Sequence, residues 1–192
     1  IGNVNAAATH ARGKSLVILN NDTIVRQGAL DALLDTFEAH ENVGLVGAKL
    51  LNADGSVQEA GGIVWRDGSA WNWGRGQSRD DPRFNFVRDA DFCSGAALAI
   101  SRELFAEMGG FDTHYAPAYY EDTDLAFRVR TRGLRVMYQP AAEIFHIEGV
   151  SHGRDESSGV KAYQVTNAKK FFERWQKTLA THRENASEPE LE

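Results

Sequence analysis

The chain is poor in the features that would brace it covalently, anchor it in lipid or attract it to a polyanion. Cys93 is the one cysteine among 192 residues. No internal disulfide can form, a reducing compartment fits, and a small buried hydrophobe is the expected role. No stretch approaches the roughly 18 apolar residues of a membrane helix. No basic start precedes an apolar stretch, so no leader is expected. Basic residues are not in surplus: the net charge is −6. That argues against a dedicated nucleic-acid binder, which shows a basic patch, but leaves open a nucleotide carried by a metal ion. No internal repeat is visible, and no Ser/His/Asp or Cys/His arrangement suggests an enzyme nucleophile.

What is present is an ordinary globular balance, with 42% hydrophobic and 25% charged residues. Four Trp, ten Phe and five Tyr supply bulk for one sizeable core. Residues 1–180 read as one domain and 181–192 as a polar tail that frays.

Local patterns place the elements. The Ala-rich opening reads as a helix stopped at Gly13. Ser15 to Asn20 is a short apolar run suited to a strand buried on both faces, as in a parallel sheet. Gly28 to His40 carries a helical stripe of Leu30, Leu33, Leu34 and Phe37. Val43 to Leu51 is strand-like, 52–55 a turn, and Ser56 to Trp65 its return strand. Residues 66–88 have no clear period and read as a long surface loop. Phe92 to Ile100 reads as a buried strand, and Ser101 caps a helix through Met108 that Gly109-Gly110 ends. An aromatic loop, Phe111 to Tyr120, precedes a helix over Glu121–Arg132 with acids at its start and Gly133 beyond its end. Leu134–Tyr138 and Ala142–Ile147 read as two short strands around Pro140, 148–158 as a polar loop, and Val160–Leu179 as a helix. Alternating strands and helices argue for α/β, and the hairpin-like stretch at 43–65 for a mixed sheet.

Four groups of residues can carry chemistry. Asn20-Asn21-Asp22 follows a strand, where ligands of open α/β sheets bind. A carboxylate there can meet Mg²⁺ or Mn²⁺, although Asn and Asp also favour plain turns. Tyr119-Tyr120-Glu121-Asp122-Thr123-Asp124 puts three acids at a helix start. Capping accounts for one or two of them, and a general base is the other reading. His146 ends an apolar strand and becomes a metal ligand only if it converges with Asp22. His152 could go either way, and His10, His40, His114 and His182 read as surface residues. Trp65, Trp71 and Trp73, among Arg66, Arg75, Arg79 and Arg83, suit sugar faces. Packing or an interface accounts equally well for such aromatics, and for at least half of these.

Taken in order, these pieces resemble the family 2 glycosyltransferases, especially bacterial rhamnosyltransferase-like members. The resemblance rests on Leu16-Val17-Ile18-Leu19-Asn20-Asn21-Asp22-Thr23, Gly44 to Leu50, Cys93-Ser94-Gly95-Ala96, Gly109-Gly110-Phe111-Asp112, Tyr120 to Leu125 and His146. It implies a GT-A-like mixed sheet flanked by helices, and a sugar moved with inversion from a nucleotide-diphosphate donor to an acceptor hydroxyl in surface polysaccharide or glycolipid synthesis. By the same resemblance Asp22 and His146 are metal ligands, with Asn20 a neutral third where the family has Asp. Asp122 is the base, and Glu121 joins it at the catalytic site, orienting it or binding the acceptor. Asn5, Asn21, Gly95 and Ala96 face the donor, and Tyr119, Tyr120 and Trp73 the acceptor. Mg²⁺ or Mn²⁺ is the implied cofactor. The acceptor is a glycan or a lipid-linked sugar. The location implied is cytoplasmic, in peripheral association with the inner face of the membrane.

The family's opening strands have no counterpart at the start of the sequence. About 60–90 residues are therefore expected to be missing, counting about 30 residues for each βαβ unit. An N-terminally truncated sheet would expose an edge suited to self-association. A non-catalytic sugar-binding or scaffold module is the alternative, and a nucleotidyltransferase a third reading.

Overall fold

A computed structural model describes residues 1–147 and 162–185. The loop at 148–158 with His152, the helix start at Val160 and the tail beyond 185 lie outside the described residues.

The Ala-rich opening forms α1 (Gly2–Ala8). It ends short of Gly13 because Thr9, His10 and Ala11 each donate to a carbonyl three residues back, tightening the chain out of the helix. The central sheet is mixed, as expected. Its strand path runs β1 (Ser15–Leu19), β8 (Ala97–Ser101), β3 (Val43–Leu51), β9 (Arg135–His146) and β2 (Thr23–Val25). β4 (Val57–Glu59) joins β3, and β7 (Arg88–Asp89) joins β9. Only β3 and β9 run parallel among the described pairs.

Side chains alternate across the sheet. On one face Val46, Ala48 and Ala99 meet Ala29 and Leu33 of α2 (Ala29–Ala39). On the other, Leu45, Ile100 and Leu16 join Phe105 of α3 (Arg102–Glu107), Phe127 and Val129 of α4 (Glu121–Thr131), and Phe171 of α5 (Ala162–Leu179). Helices on both faces make this an α/β sandwich.

Several expectations from the sequence are corrected. β1 is not buried on both faces: it pairs antiparallel with β8 at one end of the path, and burial alternates along it. Leu30 and Leu34 are 39% and 37% exposed, because α2 packs through Leu33 and the small Ala29 and Thr36 instead. The two strands expected around Pro140 are one strand. Pro140 is accommodated by a register slip, Ala48 facing Gln139 while Lys49 faces Glu143.

The return strand expected over 56–65 splits. Its first part is β4; the chain then leaves the sheet at Gly61, whose φ is 77°. β5 (Gly62–Val64) pairs with β6 (Ala70–Asn72) as a separate hairpin. The loop expected at 66–88 therefore holds β6 and a helical turn, Pro82–Phe84. The buried ammonium of Lys49 tethers this segment, donating to the Arg79 carbonyl and Asn85 Oδ1 at 2.7 Å each. Residues 181–185 do not fray. Arg66 bonds the carbonyls of His182 and Arg183, and the His182 ring stacks on Phe127, so His182 is not a surface residue.

Cys93 is fully buried, as expected, with its thiol pKa pushed up by desolvation. It lies against Gly47 of β3: a Cβ there would stand 2.1 Å from the Cys93 Cβ. Gly47→Ala is therefore expected to destabilise by about 1–3 kcal/mol through overpacking. Chemical denaturation checks this, and Gly55→Ala serves as a control for the positive-φ cost of an open turn glycine, whose Cβ would meet nothing.

Candidate active site

The antiparallel pairing of β2 with β9 sets Thr23 opposite His146, and the Ile147 N–H donates to the Asp22 carbonyl at 2.9 Å. Two residues remote in sequence are thereby brought together. His146 Nε2 lies 3.2 Å from Asp22 Oδ1, both side chains being 13% exposed. The Asn20 amide nitrogen reaches the same Nε2 at 3.3 Å. Asn21 is exposed in the turn between β1 and β2.

A second cluster lies beside the first. The stretch expected to be strand from Phe92 begins its ladder only at Ala97, which leaves the backbone of 94–96 available. The Ala96 carbonyl accepts from Asn20 N–H at 2.9 Å. The Gly95 N–H donates to Asp122 Oδ2 at 2.9 Å, and the Ser94 N–H to Glu59 Oε1 at 2.8 Å. One three-residue segment thus ties the Asn20–Asp22 turn, the candidate base and a further carboxyl together.

Burial sets the electrostatics here. Desolvation raises the pKa of Asp122. It raises Glu121 to about 7, with the Asp122 charge adding to the effect, and the fully buried Glu59 to about 8. Oxygens of Asp22, Glu59 and Glu121 are buried without a hydrogen-bond partner. Each such acceptor costs about 1–3 kcal/mol unless something donates to it or a cation meets it.

The third acid of the helix start has another task. Asp124 is fully buried, paired with Arg128 at 2.7 Å, and accepts from Trp175 Nε1 and the Tyr115 hydroxyl. Just before the acids, Tyr119 and Tyr120 adopt φ of 76° and 70°, sparsely populated for bulky residues. The buried Asn167 amide of α5 holds this bend, lying within hydrogen-bond distance of the carbonyls of Tyr115, Ala118 and Tyr119.

Other residues singled out in the sequence are engaged elsewhere. Asn5 clips the Phe111 peptide, donating to its carbonyl at 2.8 Å and accepting from its N–H at 2.9 Å. The Trp73 ring packs edge-on against Phe84 and under the Arg88 guanidinium. Tyr120 packs against Phe171 and donates to the Gly68 carbonyl. A groove of about 630 Å³ between α5 and the β5–β6 turn, lined by Arg66, Phe172 and Asn185 among others, includes none of the residues expected to serve as metal ligand, base, donor contact or acceptor contact. Sequence reasoning missed Glu59 and Gln58. Both sat inside an apparent return strand, and a Gln-Glu pair there carries no distinguishing signal.

Residues 1–178 match the family model described as Glycosyltransferase like family 2. The chain belongs to glycosyltransferase family 2. This family 2 domain is 30% identical over 163 residues to the N-acetylglucosaminyl-diphospho-decaprenol L-rhamnosyltransferase of Mycobacterium tuberculosis, covering 77% of the chain and 52% of that protein. It is 34% identical over 157 residues to the O-antigen biosynthesis protein RfbC of Myxococcus xanthus, covering 79% of the chain and 12% of that protein. The chain thus spans about half the length of the first relative, and much less of the second. Its fold is shared with GalNAc-T7, solved with UDP, GalNAc and Mn²⁺. The TM-score there is 0.67 at 15% identity, covering 93% of the chain and 36% of the other. The GT-A fold is thereby established for this domain.

The raised carboxyls have a consequence for stability. A carboxyl whose pKa is higher folded than unfolded keeps its proton longer in the folded state. Its stabilising share is complete below the unfolded pKa and is lost as pH rises through the folded one. For Glu59 that window runs from 4.5 to about 8. Glu59→Gln should therefore gain thermal stability relative to the parent on going from pH 5 to pH 8, as read by melting curves across that range. A pH-independent difference would contradict the assignment.

Proposed function

We propose that this family 2 domain transfers a sugar from a nucleotide-diphosphate donor to an acceptor hydroxyl, with inversion at the anomeric carbon, in the synthesis of a surface polysaccharide or glycolipid. The observation that carries the reading is the junction of two groups on one backbone segment: the Asp22–His146 pair and the half-buried Asp122 carboxylate.

The residues fit a divalent cation. Asp22 offers a buried carboxylate oxygen that nothing donates to, beside an imidazole nitrogen. Carboxylate with imidazole suits Mg²⁺ or Mn²⁺ completed by substrate phosphates. Among the described residues no third His, Cys, Asp or Glu completes a cage. Asp22 and His146 would hold the ion, with Asn20 at its side, and when bound it supplies charge to offset the departing diphosphate.

Asp122 takes the proton of the acceptor hydroxyl as that oxygen bonds to the anomeric carbon and the carbon–phosphate-oxygen bond breaks. One displacement inverts the centre and needs no enzyme nucleophile. The raised pKa of Asp122 brings it nearer neutral pH, where a general base works best. Glu121 sits next to the base and Glu59 beside it on Ser94. Tyr119, on the strained bend, would border the acceptor. Gly95, at which a Cβ would lie 3.5 Å from the Asp122 Cβ, is the residue of the Gly95-Ala96 pair that would border the donor sugar, since Ala96 is buried.

The acceptor we favour is a lipid-linked sugar, by likeness to the mycobacterial relative. No helix among the described residues is long and apolar enough to cross a membrane. By the same likeness we propose that the domain reaches such an acceptor by peripheral association at the cytoplasmic face.

Melting curves with uridine-, thymidine- and guanosine-linked sugars, with and without Mn²⁺, should show one donor class stabilising the protein in a Mn²⁺-dependent manner. Asp22→Ala should abolish that dependence. Asp122→Asn should lower transfer by about 10²- to 10⁴-fold while the donor-induced shift persists. Near-parental turnover in Asp122→Asn would remove the base assignment. Donor binding with no transfer in the parent chain would favour the sugar-binding module.

A further inference from the structure

We propose that Gln58 is a positioning residue that fixes the tautomer of His146, holding a proton on Nδ1 so that the Nε2 lone pair faces Asp22. The proposal rests on the reading of Asp22 and His146 as the metal-holding pair.

The direction of each hydrogen bond follows from groups that can only accept. The Ser56 hydroxyl donates to the Asp54 carboxylate at 2.7 Å. Its remaining lone pairs face Asn52, so the amide nitrogen of Asn52 must be on that side, at 2.9 Å. The same nitrogen reaches the Val57 carbonyl at 3.3 Å, which again can only accept. Asn52 therefore turns its Oδ1 to Gln58, whose Nε2 donates to it at 3.1 Å and to the His146 carbonyl at 3.1 Å. With its nitrogen spent twice, Gln58 presents Oε1 to His146 Nδ1 at 2.7 Å. An amide oxygen there requires Nδ1–H. In the neutral ring Nε2 is then the acceptor, and it takes the Asn20 amide at 3.3 Å.

The far side of the ring agrees. Nε2 and the unpartnered Asp22 Oδ1, at 3.2 Å, are both electron-rich and have no hydrogen between them in this tautomer. Two lone pairs held together in a mostly buried place are a poor arrangement alone and a good one around a cation. Groups that bond the distal nitrogen of a metal-binding histidine fix its ring and tautomer. Gln58 is 3% exposed and comes from β4, while His146 ends β9, so the contact links two otherwise separate strands of the sheet.

The test uses the whole 192-residue chain with ¹⁵N-labelled histidine, metal-free, at about pH 8.5, where an ordinary imidazole is neutral. The His146 nitrogens should report Nδ1–H in the parent. Gln58→Met and Gln58→Glu both lose the two bonds that the amide donates, but only Glu keeps an acceptor for Nδ1–H. Gln58→Glu should retain the parental tautomer, and Gln58→Met should shift towards Nε2–H. Gln58→Met should also weaken Mn²⁺ binding, followed by electron paramagnetic resonance, by about 10- to 100-fold. An Nε2–H ring in the parent overturns the proposal without any variant, even if Gln58→Met does not fold. So does a Gln58→Met protein with the parental tautomer and Mn²⁺ affinity. A tautomer that follows Gln58 in a chain that binds no Mn²⁺ supports the positioning role and rejects the metal reading.

Discussion

Three residues of β2, laid antiparallel on the end of β9, are what the site depends on. That short ladder sets Thr23 opposite His146 and closes with a bond from Ile147 to the Asp22 carbonyl. β9 is itself anchored at the centre of the sheet by its parallel pairing with β3. The rigid middle of the fold is thus extended by one hairpin-like contact to the place where an imidazole and a carboxylate meet. Sites carried on strands are held more precisely than sites on loops.

The acids near this point divide by how their burial is compensated. Asp124 is buried with Arg128, Trp175 and Tyr115 around it, and it fastens α4 to α5 and to the aromatic loop. Glu59, Glu121 and Asp22 each keep an oxygen without a partner. Unmatched buried acceptors are costly, and those of Glu59 and Glu121 near Asp122, with that of Asp22 across the 94–96 segment, are what support the proposed ligand site. The left-handed pair Tyr119-Tyr120 carries a further local cost, offset where Asn167 gathers the carbonyls of the bend.

The aromatics show the opposite balance. Trp73 and Tyr120, suited by chemistry to a sugar face, are largely spent on Phe84, Arg88 and Phe171. The hairpin that displays Trp71 is tied to residues 181–185 by Arg66 and by His182 on the Val64 carbonyl. Residues 181–185 therefore strut this hairpin.

Much was legible from local pattern alone. The Ser101 cap, the acids and Gly133 that bound α4, the nine-residue, mostly apolar strand β3 and the mixed α/β class follow from turn chemistry and periodicity, which act within a few residues. The ordered motifs from Asn20 to His146 were enough to point to the family. Tertiary structure decided what local pattern does not encode. It settled which strands pair, that Pro140 shifts the register of β9 without splitting it, and that Leu33 rather than Leu30 and Leu34 is the buried leucine of α2. It also decided which of three neighbouring acids is structural, and that Gln58 and Glu59 belong beside the site. Those outcomes depend on contacts between residues tens to more than a hundred positions apart, and a carboxylate or an amide takes its role from what surrounds it when the chain is folded.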